Sequence, residues 1–418
     1  MITTLLMIAF NRFVASAGFS NLADGISTVA WAWLASLLTR DAVAIAMVPV
    51  VLRAPWFFCA LPAGIITDRI ARLPLIRAMD GLRAAAYLAL ALALWAAGPL
   101  AAAPVSGLAH PFLYALLLLS AATVGIAEVF RDNAAQTMLP SIVPADQLEQ
   151  ANGRLWSVEL VGNALLGPAL GAVLIAAFLA APFAVNAVAC LAALWLLRGL
   201  PRHAPPETSK RDWRAELREG FAFLGQHQLL RSLAWITGFW NLFYEMAAIA
   251  LILHVQENLD LGARAYGLIL ATGAVGGVFG GWSGAWIIAR LGAARTAQWM
   301  LLASAPAFAA MALAPGAVSL AVVMATFSFT GLVWNTVSVS YRQRMIPDAL
   351  LGRVNSIYRM MAWGMMPVGL LLSGVIVQVL DGPFARDAAL AAPFWVAASG
   401  ALVLGVLGWR ALARGFAA

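Results

Sequence analysis

Asp24, Arg53, Glu128, Arg131, Asp132, Glu159 and Glu245 fall within or at the edge of long apolar stretches, where an ionisable side chain is the first candidate for chemistry. Buried at mid-bilayer depth, each would cost ~2.5–3.5 kcal/mol on insertion scales, so each needs a partner or a task. Asp24 lies about fifteen residues into the first apolar run and Arg53 about twelve into the second, which returns the other way. Adjacent antiparallel helices would hold the two at one depth, as an ion pair. Such a pair could be a static packing contact, or it could open and close and exchange the arginine for a proton. Glu128 reaches both Arg131 and Asp132 at helical spacings of three and four. With Glu159 of the next run they form an acidic-rich cluster, which could equally be a solvated vestibule.

Glu245 lies about fifteen residues, or ~22 Å, into the seventh apolar run. A carboxylate there is tolerable if it carries a proton or meets a hydrated cavity, so it is a candidate for binding the coupling ion or a cationic solute. Asn241 stands one turn earlier and could hydrogen-bond it. Phe239, Trp240, Asn241, Phe243, Tyr244 and Trp334, with Asn21 in the first run, are expected to line a cavity suited to a greasy or aromatic solute. No phosphate-binding glycine loop, metal-ligand spacing or nucleophile triad is found. His110, His203, His227 and His254 are scattered at helix ends and in a linker. No catalytic residue, metal or cofactor is therefore expected, and the chain is not read as an enzyme.

The elements that must position these groups follow from composition. Of 418 residues 63% are hydrophobic and 11% charged, against about 45–50% and about 25% in soluble domains. Apolar runs fall at 9–37, 41–67, 75–97, 111–138, 147–178, 180–200, 230–258, 263–289, 296–313, 315–342, 350–380 and 388–411. Each can cross ~30 Å of hydrocarbon as a helix that satisfies its own backbone. The expected fold is an all-α membrane protein of twelve transmembrane helices. The first run lacks a preceding basic region and a small-residue cleavage site, so it is expected to be a retained span. Cys59 and Cys190 lie within apolar runs and are read as thiols, not as a disulfide.

Alternate loops sort by charge. One set carries Arg69, Arg72, Arg77, Arg198, Arg202, Lys210, Arg211, Arg290, Arg295, Arg342, Arg344 and Arg410; the other carries Arg40, Arg264 and Arg386. Basic loops stay in the cytoplasm, so both termini are expected there, and the net charge of +7 reflects topology rather than a nucleic-acid partner. The stretch 201–229 reads as a cytoplasmic linker whose Trp213, Leu217, Phe221 and Leu224 share one face of a short amphipathic helix.

The chain repeats itself. Gly18-Phe19-Ser20-Asn21-Leu22 matches Gly238-Phe239-Trp240-Asn241-Leu242 at an offset of 220, which also pairs Gly64 with Gly284. Pro144, Leu148, Asn152 and Gly171 match Pro347, Leu351, Asn355 and Gly374 at an offset of 203. Two six-helix, pseudo-symmetric bundles of common origin follow, at 1–200 and 230–418 about the linker 201–229.

Parallel six-helix repeats are the plan of the major facilitator transporters, and three motifs resemble that family. Gly64-Ile-Ile-Thr-Asp68-Arg69-Ile-Ala-Arg72 resembles its cytoplasmic signature between helices 2 and 3, departing at Ala71 and Leu73. Asn163-Ala-Leu-Leu-Gly167-Pro168-Ala-Leu-Gly171 resembles the helix 5 signature of antiporters, with Ala172 for a final Gly. Asp132 to Pro140 and Arg342 to Arg359 resemble the subgroup of macrolide-efflux and enterobactin-export proteins. The resemblance implies a cytoplasmic gate at Gly64, Asp68, Arg69 and Arg72. Gly167, Pro168 and Gly171, with Gly364 and Pro367, would kink helices 5 and 11. It further implies a proton-coupled exporter of hydrophobic or amphiphilic small molecules in a bacterial inner membrane. The expected form is a monomer, with a solute, protons and lipids as partners. The alternatives are an exporter of one metabolite, such as a siderophore, or a non-transporting scramblase or sensor.

Overall fold

A computed structural model describes residues 2–104, 107–143, 148–200, 213–346 and 348–417. Some side chains inside these ranges, among them those of Gly64, Asp68, Arg69, Trp213 and Leu217, lie outside the described residues. The chain folds into two compact units, Met1–Ser209 and Lys210–Ala418. Among the described residues there are helices and no strands. Among the described residues nine helices are long and apolar enough to cross a membrane, and two shorter apolar ones accompany them. Both cysteines are free thiols.

The first unit begins with α1 (Ile2–Leu38), α2 (Ala42–Phe58), α3 (Ala60–Arg69), α4 (Arg72–Ala97) and α5 (Pro111–Ile142). It continues with α6 (Leu148–Glu159), a π-helical segment (Leu160–Leu166), α7 (Gly167–Ala177) and α8 (Ala181–Leu196). Asp41 starts α2 by accepting hydrogen bonds from the amides of Val43 and Ala44, two of the donors every helix start leaves open. The second unit holds α9 (Trp213–Gln226), α10 (Gln228–Leu253) with a π-helical end (His254–Asn258), α11 (Ala263–Leu291), α12 (Ala293–Leu313) and α13 (Ala317–Met345). It ends with α14 (Asp348–Trp363), α15 (Met366–Leu380) and α16 (Arg386–Ala417).

The repeat read from sequence reappears as one packing scheme in each unit. In the first, α4 packs on α5 and α8, α1 packs on α8 and on the α6–α7 arm, and α2 packs on α5. In the second, α12 packs on α13 and α16, α10 packs on α16 and on the α14–α15 arm, and α11 packs on α13. Every major contact of one unit thus has its counterpart in the other.

Glycines bring the helices this close. A β-carbon on Gly25 of α1 would strike the backbone of Gly162 and Asn163, and one on Gly167 would strike Gly25. In the second unit Gly276 and Gly280 of α11 meet the backbone of Ala325 and Phe329 of α13 in the same way. Without side chains between them, backbones gain dispersion contacts that lipid cannot replace.

The bends expected of Gly167, Pro168, Gly364 and Pro367 take the form of breaks. Pro168 stands where the π-helical segment passes into α7, and the wider turn accommodates a residue without an amide hydrogen. Pro367 stands in the first turn of α15, where that missing hydrogen costs nothing. A π-helical segment precedes α7, and a turn at Gly364 and Met365 precedes α15. The short helix α9 packs on α14 and α10. It buries Leu224 with Leu230, Ile346, Val354 and Ile357, whereas Phe221 stays exposed.

Candidate functional site

One face of α1 carries Ser16, Ser20, Asp24 and Ser27 at helical spacing, and each finds a partner inside the first unit. Ser16 donates to the carbonyl of Ala193 at 3.1 Å. Asp24 forms an ion pair with Arg83 of α4, whose other terminal nitrogen donates to Ser20 Oγ at 2.6 Å. Ser27 shares a 2.7 Å hydrogen bond with Tyr87 Oη and accepts another, 2.8 Å, from Asn186 of α8. Trp31 closes the stripe, its ring stacked on Tyr87 at 5.7 Å and edge-on to Phe183 at 5.4 Å.

Below Arg83, one turn earlier on the same face of α4, is Asp80. Asp80 Oδ1 accepts from Arg131 Nε at 2.8 Å, and Arg131 also reaches its neighbour Asp132 at 3.4 Å. Arg83 and Asp80 are wholly sealed, with side-chain exposures of 0%, while Asp24 and Asp132 keep 16% and 36%. The network therefore has a closed middle and two accessible ends. Charges in such a place must be paired to persist, since each bare ion would cost several kcal/mol.

Glu128 belongs to the same electrostatic neighbourhood. Asp24, Arg53, Asp132 and Arg83 all act on it. Arg53 lies near it because α2 and α5 touch close by: a β-carbon on Gly125, one turn before Glu128, would strike the carbonyl of Leu52, the neighbour of Arg53.

These contacts correct the depth argument. The base on Asp24 is Arg83, and Arg53 belongs to the surroundings of Glu128. Arg83 and Asp80 escaped the sequence reading because they sit early in a span whose flank is already basic. Their signal was present: Asp80, Arg83 and Tyr87 stand at spacings of three and four, one polar stripe on an apolar helix. Glu159 is exposed at the end of α6, and Asn21 turns back to the carbonyl of Ala17 at 2.9 Å.

In the second unit the expected aromatic cluster divides. Trp240 and Tyr244 stack face to face at 5.5 Å, and both stack on Phe327 of α13, at 5.4 and 5.8 Å. Phe239 and Phe243 turn the other way, into a cavity of about 650 Å³ against Trp395, Val396, Gly400 and Val403 of α16. Trp334 is a core residue, packed with Leu233, Ile236, Leu301 and Tyr358. Helical geometry forces the split, because positions one apart point about 100° from each other. The Asn241 amide donates to the Ala362 carbonyl of α14 at 2.9 Å, so it ties α10 to α14 rather than serving Glu245 through that nitrogen. Glu245 itself is half-buried and, with Tyr244, acts on the buried Tyr266 of α11. At the cytoplasmic motif, Arg72 donates to the carbonyl of Thr137 in α5 at 2.7 Å. The Gly64, Asp68 and Arg69 side chains lie outside the described residues.

Two six-helix units of one packing scheme, with a charge network inside the membrane-spanning part, narrow the families to be compared. The model of the Major Facilitator Superfamily matches residues 5–366. The chain belongs to the major facilitator superfamily. It is thus a multi-pass membrane transporter and not an enzyme. Among curated relatives, the multidrug efflux pump Tap of Mycobacterium tuberculosis and Mycobacterium bovis is 25% identical over 408 residues, 93% of this chain and 90% of the relative. Among solved structures of this superfamily fold, a bacterial homologue of the iron transporter ferroportin aligns over 100% of both chains with a TM-score of 0.70 and 17% identity. The nucleoside transporter NupG aligns over 98% of this chain and 99% of its own, with a TM-score of 0.74 and 12% identity.

Proposed function

We propose that this transporter expels hydrophobic or amphiphilic small molecules from the cytoplasm in exchange for protons. The observation that carries the reading is the Asp24–Arg83 pair, an acid and base inside the membrane-spanning part of the first unit with the acid partly accessible. An ion pair there is a costly way to hold two helices together, when small or apolar residues would do. It is a direct way to bind a proton, because protonation cancels the attraction and frees a charged arginine. Glu245 is the second candidate for the proton or for a cationic solute. Trp240 and Tyr244, half-buried and stacked on the buried Phe327, offer the flat apolar surface that such solutes favour. The similarity to a multidrug efflux pump supports the export direction and the breadth of cargo. The inner membrane of a bacterium is the compartment this reading requires.

The test is transport of a fluorescent amphiphilic cation by purified protein in liposomes under an imposed pH gradient. The wild type should accumulate the dye only while the gradient lasts. Asp24→Asn should abolish gradient-driven uptake, while protein is still recovered folded. Unchanged uptake by that variant would reduce the pair to packing.

A further inference from the structure

Two atoms in the network have no hydrogen-bond partner although they are fully buried: Asp80 Oδ2 and Arg83 Nε. Unsatisfied buried polar atoms are rare, and a pair from one acid and one base, on one face of one helix, calls for an explanation. Asp80 and Arg83 are three residues apart on α4 and act on each other electrostatically. In the present arrangement each faces a different partner, Asp24 for Arg83 and Arg131 for Asp80.

A charge count gives the second observation. The groups that act on one another here are Asp24, Asp80, Glu128 and Asp132 against Arg53, Arg83 and Arg131. Tyr87 of α4 and Cys190 of α8 are the other titratable groups that act on Arg83 most strongly. Among these described residues four carboxylates face three guanidiniums, so this set lacks one positive charge, which one proton would supply.

We propose that Arg83 is a shuttle: when Asp24 takes up a proton, Arg83 leaves it for the open oxygen of Asp80, and Arg131 shifts from Asp80 to Asp132. Nothing but the proton enters or leaves. Before the step the pairs are Asp24–Arg83 and Asp80–Arg131, and Asp132 shares Arg131 with Asp80 at the longer distance of 3.4 Å. After it, Asp24 is a neutral acid, and the pairs are Arg83–Asp80 and Arg131–Asp132. The surplus charge is cancelled, and the bonds that tie α4 to α1 and to α5 are exchanged for pairs within α4 and within α5. Asp24 and Asp132 are the two ends that keep surface exposure, 16% and 36%, as a relay requires. Asp80 is thereby a positioning residue that never touches the solute.

The proposal rests on proton coupling through Asp24, and the experiment separates the two. Dye uptake is measured against pH in liposomes for the wild type, Asp80→Asn and Asp132→Asn. Each variant removes one carboxylate from the cluster, which cancels its negative surplus, so the demand for a proton falls. Both should require a more acidic medium for half-maximal uptake, by on the order of one pH unit, a tenfold change in proton affinity. Asp80→Glu should restore the wild-type profile. A merely structural role would lower yield or rate and leave the profile in place. Asp132 is partly exposed, so its variant is expected to fold even where Asp80→Asn does not, and it then decides alone. Wild-type profiles in the recovered variants overturn the shuttle while leaving coupling through Asp24 intact. A wild type indifferent to pH overturns both.

Discussion

Glu245 illustrates how much a single side chain can be asked to do. It is half-buried on α10, next to a tyrosine that stacks on Trp240 and Phe327, and it acts on the buried Tyr266. Replacing it with glutamine keeps its shape and hydrogen bonds and removes only the exchangeable proton. We expect Glu245→Gln either to uncouple uptake from the pH gradient or to lose cationic solutes while keeping neutral ones. A dye panel of both charges, assayed at two pH values, distinguishes these outcomes. Wild-type pH dependence and solute range would leave Glu245 without a part in transport. The same scale explains why Asp24→Asn should still fold. Losing one partner of a buried pair usually costs ~3–5 kcal/mol because a bare charge stays behind. Here Arg83 has Asp80 within one helical turn to receive it.

Among elements, the closest approaches are made by backbone rather than by side chains. Gly276 and Gly280 of α11 present no β-carbon to α13, and the carbonyls of Ala325 and Phe329 occupy that space. A leucine at Gly276 has no room, and overpacking of this kind costs ~1–3 kcal/mol or more. Gly276→Leu should lower the apparent melting temperature of the detergent-solubilised protein, whereas Gly281→Leu, which meets open space, should not. Equal melting temperatures would mean that α11 and α13 do not depend on this contact. The broken arms are a different device. The π-helical segment before α7 and the turn before α15 interrupt the regular hydrogen-bond ladder beside the glycine contacts with α1 and α10. Such interruptions let one helix bend without straining its neighbour, and π-helical turns are often found at functional sites.

For the molecule as a whole, the distribution of arginine predicts the orientation. The basic loops all fall on one side of the alternation, and the opposite loops carry few bases. One of those few, Arg386, is tied to Glu257 at 3.0 Å and to Asp381, so its charge is matched locally. The expected topology has both termini and the 201–212 stretch in the cytoplasm. Reporter fusions check this: alkaline phosphatase should be active when inserted in 99–110 and inactive after residue 418 or within 201–212. An active carboxyl-terminal fusion would reverse the assignment.

The sequence by itself determined the class and the repeat, and it set the expectation for the orientation. Each of these depends on properties summed over many residues: 63% apolar content, matched offsets of 220 and 203, and the sorting of basic loops. Sums of that kind survive local errors, because a bilayer selects helices by average hydropathy and loops by charge. The candidate site was legible only in part. Depth along a helix can be counted in residues, so Asp24, Glu128, Arg131 and Asp132 were found. Azimuth around the helix, and the neighbour it meets, cannot be counted in that way. Tertiary packing therefore decided that Arg83 and not Arg53 is the base on Asp24. It decided that Asp80 completes the network and that Phe239 and Trp240 face opposite ways. The physical reason is the same each time: a buried charge is bound to whichever partner lies within ~4 Å, and glycine-mediated contacts between helices set which one that is.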